Sequence, residues 1–307
     1  MKPADFCFHH PLRVRWAEVD AQHIVFNAHY LMYFSTAMAD YWRALAMPYA
    51  AAMQRLQGDI FLRKTTLEFN APARLDDRLD VAMRCDRIGS SSMTFVGAIF
   101  RDHQLLLTGE LVYVFADPSA QTSRPVPAPL RALIEAYEAG HAVTEVRTGD
   151  WATLGEGARA VREAVFVQEQ GIAREDEWDA ADATATHALV SNRLGMPVAT
   201  GRLIAQGASE QGASEQGAPG RGTARMGRMA VDRSLRGSGV GQQVVQALEQ
   251  AARAQGYTRI VLSAQRSAEG FYQRLGYVAD GAPFDEVGIA HVVMQRALVG
   301  QQKGPAP

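Results

Sequence analysis

The twenty residues 229–248, MAVDRSLRGSGVGQQVVQAL, constrain the second half of this chain more than any other stretch. A short apolar run leads into a turn rich in glycine, and a helix with one apolar stripe follows. Such a turn leaves backbone N–H groups unpaired at the positive end of the helix dipole, which suits a pyrophosphate. Glycine lets the phosphate approach the backbone, and Arg236 adds a fixed positive charge.

The glycine spacing separates this turn from two other phosphate-binding loops. G-x-G-x-G is not the dinucleotide-binding G-x-G-x-x-G, and no Gly-Lys-Ser/Thr ends it. An ordinary strand-to-helix turn is the alternative. The pattern R-x-x-G-x-G after a strand resembles the acetyl-CoA loop of the GNAT N-acetyltransferases. This resemblance implies that CoA is held by Met229, Ala230, Val231, Arg236, Gly237, Ser238, Gly239, Val240, Gly241 and Phe271.

Length and composition favour a soluble protein of two domains. The 307 residues are 47% hydrophobic and 21% charged, and the net charge of −2 indicates no nucleic acid partner. Cys7 and Cys85 lie far apart, so we expect neither a disulfide scaffold nor a metal site. With no signal sequence and no run long enough to span a membrane, we expect a cytoplasmic protein without a membrane partner.

The first 140 residues have the pattern of an α+β domain. Residues 12–19 alternate apolar and polar as a half-buried strand does, and Asp20 ends them. A loop at 21–27 leads to residues 28–47, which are apolar almost all round and predict a buried helix. Four strand-like runs follow, at 60–69, 79–88, 92–100 and 105–115. This order predicts an antiparallel sheet wrapped around one long helix.

The segment RVRWAEVDAQHIVFNAHYLMYF resembles the start of hotdog-fold acyl-CoA thioesterases of the 4-hydroxybenzoyl-CoA thioesterase and YbgC type. The likeness covers roughly residues 10–117, and it implies a hotdog fold and thioester hydrolysis. The matching positions are Asp20, Val25, Phe26, Ala28 and Tyr30. The sequence departs from the family pattern at His23, Asn27 and His29, which bears on the substrate class.

Thioester hydrolysis needs a carboxylate that attacks the carbonyl or activates water, and donors that hold the oxyanion. Asp20 supplies the carboxylate, and the helix start at Asn27 supplies N–H groups. His23 could orient groups or transfer a proton. Each has a structural alternative: Asp20 as a turn or cap residue, and His23 and His29 as loop or cap residues. We expect Glu18 to be a solvated strand residue, and rank Asp59 and Glu68 as second-tier carboxylates.

We place the domain boundary near residue 140, which gives a hotdog domain at 1–140 and a GNAT domain at 141–307. A polar, proline-rich stretch at 117–127 precedes an amphipathic helix at 129–139 that Gly140 ends. In the second domain, residues 206–224 contain GASEQ twice and almost nothing apolar, which predicts a flexible insertion.

The second domain reads as an α/β domain with the order of the GNAT core. We expect strands at 142–147, 188–190 and 198–204, a helix at 154–168, a strand at 259–264, a helix at 265–275 and a last strand at 291–298. The acidic run 169–182 is either a solvated loop or a surface that draws a cationic amine. Residues 165–171 and 284–291 resemble the ElaA-like branch of the GNAT family.

Amide formation needs a neutral amine, an oxyanion donor and a proton for the leaving thiolate. The family resemblance implies that backbone N–H groups of 229–231 hold the thioester and that Tyr272 protonates the thiolate. A packed core tyrosine is the alternative. Glu169, Glu286, His291 or a water molecule could be the base, and the sequence does not choose among them.

These observations predict a fusion whose halves both use CoA: an acyl-CoA thioesterase followed by an acetyltransferase that acts on an amine with acetyl-CoA. Hotdog domains pair their sheets, so we expect a homodimer or homotetramer. One rival is an acyl-CoA sensor or scaffold in which only the thioesterase half turns over. Another is a thioesterase whose GNAT half serves only assembly.

Overall fold

The computed structural model describes residues 1–206, 222–286 and 288–298, and contacts within it separate two compact units. The first unit comprises Met1–Thr144 with Asn192–Met196, and the second comprises Glu145–Ser191 and the described residues from Pro197 onward. Most of the insertion predicted at 206–224 lies outside the described residues. The boundary near residue 140 stays a prediction.

The first unit is an antiparallel sheet with helices packed on it. Its strands are β1 (Phe8–Arg13), β2 (Asp59–Phe69), β3 (Arg78–Ile88), β4 (Ser92–Arg101), β5 (Gln104–Asp117) and β6 (Thr122–Ser123). Its helices are α1 (Asn27–Ala44), α2 (Tyr49–Leu56) and α3 (Ala128–Glu138). The strand order is β1-β3-β4-β5-β2, and β6 pairs with β5. The predicted sheet around one long helix is confirmed.

Helix α1 packs on the sheet through one face rather than all round. The buried residues recur at helical spacing and are Tyr30, Tyr33, Phe34, Ala37, Met38, Tyr41 and Trp42. The sheet makes room for Phe34 with Gly97 on β4 and Gly109 on β5, which lie opposite each other. A Cβ on Gly97 would lie 2.3 Å from the Phe34 ring. Since Met32 is exposed, the expectation of a helix buried all round is only partly confirmed.

The strand expected at 12–19 is wrong in its position. Strand β1 ends at Arg13, and a 3-10 turn follows at Trp16–Glu18. The Glu18 carboxylate accepts a hydrogen bond from the backbone N–H of Arg15 at 2.8 Å, which closes this turn. The turn leaves the Trp16 side chain 80% exposed and Glu18 only 3% exposed. The solvated strand residue expected at Glu18 is therefore also wrong.

The second unit is a mixed sheet with helices on both faces. Its strands are β7 (Thr144–Gly149), β8 (Thr186–Asn192), β9 (Pro197–Ala205), β10 (Thr223–Val231), β11 (Arg259–Gln265), β12 (Val278–Ala279), β13 (Phe284–Glu286) and β14 (Ile289–Ala297). The order is β12-β14-β11-β10-β9-β8-β7, with β13 on β14. Its helices are α4 (Trp151–Arg162), α5 (Arg174–Glu177), α6 (Val240–Ala254) and α7 (Glu269–Arg274).

Two helices differ from their expected form. The helix expected at 154–168 is α4 followed by a π-helical turn, Glu163–Glu169. The helix expected at 265–275 is a 3-10 turn, Arg266–Ala268, followed by α7. The apolar spacing that predicted both is present, but it does not distinguish an α-helix from tighter or wider turns.

Strands β10 and β11 run parallel and separate partway along. Residues 223–226 of β10 pair with 259–262 of β11, and the pairing ends there. On its other side β10 has a bulge, because two residues lie between its pairs with Arg202 and Thr200 on β9. A bulge bends its strand. We call the opening between 227–231 of β10 and 263–265 of β11 the fork.

The acidic run 169–182 is only partly a solvated segment. Glu175 and Asp176 are exposed, as that interpretation requires. Glu177 and Asp182 are buried, and both form ion pairs with the buried Arg162. For these two residues both expectations, a solvated loop and a surface that draws a cation, are wrong. Their charges are satisfied inside the unit.

Candidate active sites

The first candidate site is an open cleft of about 620 Å³ in the first unit. Its walls are the loop that ends at the first turn of α1 and the segment that follows β2. The lining residues are Asp20, Ala21, Gln22, Ile24, Val25, Phe26, Asn27, Tyr30, Phe69, Asn70, Ala71 and Pro72. Asp20 and Asn27 thus share one cleft, whereas Asp59 and Glu68 are not part of its lining. Asp59 instead accepts a hydrogen bond from the Tyr49 hydroxyl at 2.6 Å.

Asp20 is held in place by the loop that it begins. Its backbone N–H donates to the Ile24 carbonyl at 2.9 Å, and its carbonyl accepts from the His23 N–H at 2.9 Å. Its Oδ1 accepts from the Gln22 N–H at 2.8 Å. Asp20 is therefore a turn residue, as the structural alternative held, and a wall of the cleft as well. His23 is exposed, with a φ of 61°.

The N-terminus of α1 brings unpaired donors to the same cleft. Phe26 is the N-cap and provides no side-chain cap. The Phe26 N–H donates to the Glu18 carbonyl at 2.9 Å. The N–H groups of Asn27 and Ala28 belong to the first helical turn, whose donors have no partner within the helix. A negative charge that develops in the cleft would be stabilised by these donors and by the helix dipole.

Glu18 supports this arrangement, and sequence reasoning missed it. Its carboxylate accepts from the Tyr33 hydroxyl on α1 at 2.8 Å and from the Arg15 guanidinium. Burial pushes the pKa of Glu18 upward, but the hydrogen bonds from Arg15 and Tyr33 outweigh burial, so its pKa lies below the ordinary value. Glu18 therefore stays charged and ties the turn before Asp20 to the helix that faces it. Its partner lies 15 positions along the chain, so no local signal shows the pair.

The second candidate site begins at the glycine-rich turn between β10 and α6. Gly237 and Gly239 have φ of 83° and 92°, a region that favours glycine. No atom lies within 4 Å of a Cβ built on either residue, so the space above the turn is open. Gly239 is the N-cap of α6, and Val240 and Gly241 begin the helix with N–H groups that it cannot pair.

Arg236 lies in this turn and forms a two-pronged ion pair with Glu169. Both guanidinium–carboxylate distances are 2.7 Å. The hydrogen bond from Arg236 lowers the pKa of Glu169. A carboxylate with a lowered pKa is a weaker base, so the geometry counts against Glu169 as the group that deprotonates an amine. The contact joins the end of the π-helical turn to the glycine-rich turn.

The fork provides the rest of the second site. Ala230 packs on one face of the sheet with Val161, Val165 and Phe166 from α4 and the π-helical turn. Met229 lies on the other face, since a Cβ on Gly201 would meet the Met229 sulfur together with side chains of α6. Alternate N–H groups of 228–231 point to opposite edges of β10. Beyond residue 226, those directed at β11 have no partner in its described pairing.

Phe271 and Tyr272 lie beside this opening on α7. A Cβ on Gly241 would come within 3.5 Å of the Phe271 ring, so Phe271 is next to the start of α6. Tyr272 is buried against Phe271 and Tyr277, with ring centroids 5.0 and 5.8 Å away. Burial raises the pKa of the Tyr272 phenol, so its hydroxyl keeps the proton that a thiolate would need.

The two halves thus have different and recognisable architectures. An antiparallel sheet curled around one helix is the hotdog fold, and a mixed sheet that opens beside a glycine-rich turn is the GNAT fold. The family model described as a thioesterase-like superfamily matches residues 14–134. The model described as an acetyltransferase (GNAT) domain matches residues 183–298.

Relatives exist for each half. Residues of the chain are 30% identical over 121 residues to the acyl-CoA thioester hydrolase YbgC of Escherichia coli O6:H1, covering 39% of this chain and 90% of that protein. They are 33% identical over 144 residues to YyaT of Bacillus subtilis, covering 46% and 87%. They are 33% identical over 137 residues to the N-acetyltransferase YjcF of the same species, covering 44% and 87%. The chain therefore belongs to the thioesterase-like superfamily in its N-terminal part and to the GNAT acetyltransferases in its C-terminal part.

Similar folds occur among solved structures. A thioesterase complexed with coenzyme A and Zn from Thermus thermophilus is 22% identical, with a TM-score of 0.39, covering 44% of this chain and 96% of that one. In residues 1–206, 222–286 and 288–298, His, Cys, Asp and Glu form no group of three that could hold a metal. Across the same residues, none of the helices combines the length and the apolar character that crossing a membrane requires.

Proposed function

We propose that this protein hydrolyses an acyl-CoA in its first unit and transfers an acetyl group from acetyl-CoA to an amine in its second. The observation that carries the proposal is that each unit has its own set of unpaired backbone donors beside a polar side chain suited to the chemistry. In the first unit these are the N-terminus of α1 and Asp20. In the second they are the glycine-rich turn and Arg236.

In the hydrolysis step, the thioester carbonyl lies in the cleft with its oxygen toward the N–H groups of Asn27 and Ala28. The Asp20 carboxylate either attacks the carbonyl carbon or takes a proton from a water molecule that does so. Its Oδ1 is already engaged by the Gln22 N–H, so the other oxygen faces the substrate. The donors stabilise the oxyanion as it forms. The exposed His23 is placed to relay protons at the cleft mouth.

In the transfer step, the pyrophosphate of acetyl-CoA binds the N–H groups of Gly237, Gly239, Val240 and Gly241. Arg236 turns part of its guanidinium from Glu169 to the phosphate, and the Ser238 hydroxyl lies in the same turn. The pantetheine arm enters the fork along Met229, Ala230 and Val231, beside Phe271. The Tyr272 phenol gives its proton to the departing thiolate. Each role rests on position within the unit and on the family to which it belongs.

Loss of each site should affect one activity only. Arg236→Ala is expected to raise the KM for acetyl-CoA by about 10- to 100-fold, since a charge-assisted contact to phosphate is worth about 1.5–3 kcal/mol. Acyl-CoA hydrolysis should stay within twofold of wild type. The measurement is thiol release from an acyl-CoA panel and from acetyl-CoA with and without primary amines, using the full chain.

The same assay separates the rivals. A sensor or scaffold binds acetyl-CoA in a calorimeter, but no amine in the panel accelerates thiol release. A GNAT half that serves only assembly neither binds acetyl-CoA nor responds to Arg236→Ala, and its removal changes the oligomer. We also place the protein in the cytoplasm, because Cys7 and Cys85 are both free thiols.

We propose further that the first unit forms a homodimer or homotetramer through β2. This strand has β5 as its one partner in the described sheet, and Phe61 and Leu62 on it are 46% and 41% exposed. A long apolar edge strand invites pairing with another copy. Light scattering after size exclusion should give two or four times the mass of 33.4 kDa. Phe61→Lys with Leu62→Lys should give the monomer, whereas Leu75→Lys, at an exposed turn, should not.

A further inference from the structure

We propose that His291 is the general base of acetyl transfer and that its Nε2 takes the proton from the attacking amine. The inference rests on the proposed transfer activity of the second unit and adds the residue that the sequence left undecided. It is carried by the hydrogen bond that fixes the imidazole, by the position of His291 at the fork, and by the face of the sheet that it occupies.

The protonation of the ring follows from its partner. His291 Nδ1 lies 2.7 Å from the Ile289 carbonyl oxygen. A carbonyl can only accept, so Nδ1 carries the hydrogen and Nε2 of the neutral ring has the free lone pair. No hydrogen-bond partner meets Nε2 within the part of the chain that the structure describes. The Ile289 carbonyl also stabilises the imidazolium that forms once Nε2 has gained a proton.

The position follows from the strand register. His291 on β14 pairs with Gln265, the last residue of β11, and this is the strand end that borders the fork. The Gln265 side chain donates to the Gln170 side chain at 3.0 Å. Gln170 directly follows Glu169, which holds Arg236. Contacts therefore run from the glycine-rich turn, past the fork, to the residue that pairs with His291.

The face of the sheet is settled by a second contact. Arg296 on β14 donates to Glu249 of α6 at 2.7 Å, so even-numbered residues of β14 face α6. His291 is odd-numbered and lies on the opposite face, the one to which Gln170 reaches. Tyr272 packs against Tyr277, whose hydroxyl donates to Glu249, so Tyr272 lies on the α6 side.

This arrangement places acid and base on opposite sides of the fork. An amine approaches the thioester from one face, and the thiolate leaves toward the other. Phe284 stacks on the imidazole, with ring centroids 6.0 Å apart and planes 29° from parallel, and limits its rotation. Acetyl transfer requires this separation, because the proton is removed from the nucleophile and a proton is supplied to the leaving group at distinct points.

The other candidates have weaker claims. Glu169 is bound to Arg236 through both carboxylate oxygens. His187 is buried, and its Nε2 is bonded to the Asp182 carbonyl at 2.9 Å. Glu286 is exposed on β13 and pairs with Ile289, which places it diagonally from His291 on the same face. It can attract a cationic amine toward the ring without itself being screened from water.

The step balances without a further reactant. Nε2 takes a proton from the amine nitrogen, whose lone pair forms the bond to the acetyl carbon. The tetrahedral oxyanion collapses, the carbon–sulfur bond breaks, and the thiolate takes a proton from the Tyr272 hydroxyl. The imidazolium then loses its proton to solvent, and the tyrosine regains one. The products are the N-acetylated amine and CoA.

The test uses the full chain with acetyl-CoA and three probe amines: propylamine, spermidine and glycinamide. His291→Gln should lower kcat/KM for the amine by at least about 100-fold. The KM for acetyl-CoA should stay within twofold. The wild-type rate should fall on the acid side as the imidazole gains a proton, and this acid limb should be replaced in the variant by a rate that rises steadily with the fraction of free amine. Such recovery at high pH would not follow from a merely structural role.

Groups near the ring could also shape the pH profile. Glu286 shares its face, and Arg266 in the adjoining turn is paired with Glu269. Glu286→Gln is therefore run in parallel and should keep the acid limb, and His103→Gln, on the turn between β4 and β5, serves as the matched control. Nitrogen-15 NMR of the histidine rings, assigned by loss of a signal in His291→Gln, should show the Nδ1–H tautomer.

Two outcomes overturn the inference: an Nε2–H tautomer, or an acid limb that persists in His291→Gln while wild type turns over. If wild type itself releases no thiol with any amine, the proposed transfer activity fails and the base with it. Because the second case is seen in wild type alone, the two failures are distinguishable.

Discussion

Asp20→Asn is expected to lower kcat/KM for acyl-CoA hydrolysis by at least about 1,000-fold, because it removes the group that attacks or activates water. The asparagine can keep the fold, since its side-chain oxygen can accept the Gln22 N–H as the carboxylate does. Binding of a non-hydrolysable acyl-CoA analogue should therefore change little. Acetyl transfer in the second unit should be unaffected.

Asp102→Asn is the matched control for this change. Asp102 lies on the exposed turn between β4 and β5 with a φ of 55°, a conformation that asparagine also adopts. Its hydrolysis rate should equal that of wild type. If Asp20→Asn kept more than a tenth of wild-type hydrolysis, Asp20 would be only the turn residue of the loop, and the catalytic group would lie elsewhere.

The second large effect is expected on stability. Arg162→Met should lower the free energy of unfolding of the second unit by about 3–5 kcal/mol, the usual cost of removing one partner from a buried ion pair. The Arg162 side chain is 1% exposed and is paired with Glu177 and Asp182. Without it, both buried carboxylates lose their partner. Burial already raises the pKa of Glu177, with Arg162 and then Arg228 opposing that shift.

Arg159→Met separates charge pairing from packing. Arg159 stacks on the same two tryptophans as Arg162, Trp151 and Trp178, but it is exposed. Its replacement should cost less than about 1 kcal/mol. Hydrogen exchange followed by mass spectrometry reports each unit through its own peptides, which avoids treating a protein of two units as a single transition. Equal losses for the two variants would show that the ion pairs contribute nothing.

The periodicity of the sequence predicted the strands of the first unit well. The runs at 60–69, 79–88, 92–100 and 105–115 lie within two residues of the strands observed. Each strand has a buried face, and a period of two is then visible without knowledge of the partners. The stripe on α6 was equally readable: Val240, Val244, Leu248 and Ala252 are all buried.

What the sequence did not show depends on partners far along the chain. Glu18 is buried because Tyr33 and Arg15 satisfy it, and Glu169 meets Arg236 across 67 positions. The bulge at Arg228 and Met229 is visible only once β9 is opposite β10. The choice among bases likewise needed the register of β11 with β14. Local patterns report burial and turns, whereas these features are tertiary.

The π-helical turn has a consequence for how this protein could diverge. A wider helical turn contains one residue more than an α-helix of the same length, and this extra residue sets the rotational phase of everything after it. Deleting one residue from Glu163–Glu169 would restore ordinary winding and swing Glu169 and Gln170 by roughly 100° around the axis. Such a deletion could silence one activity through geometry alone, leaving every chemical group intact and the other activity untouched.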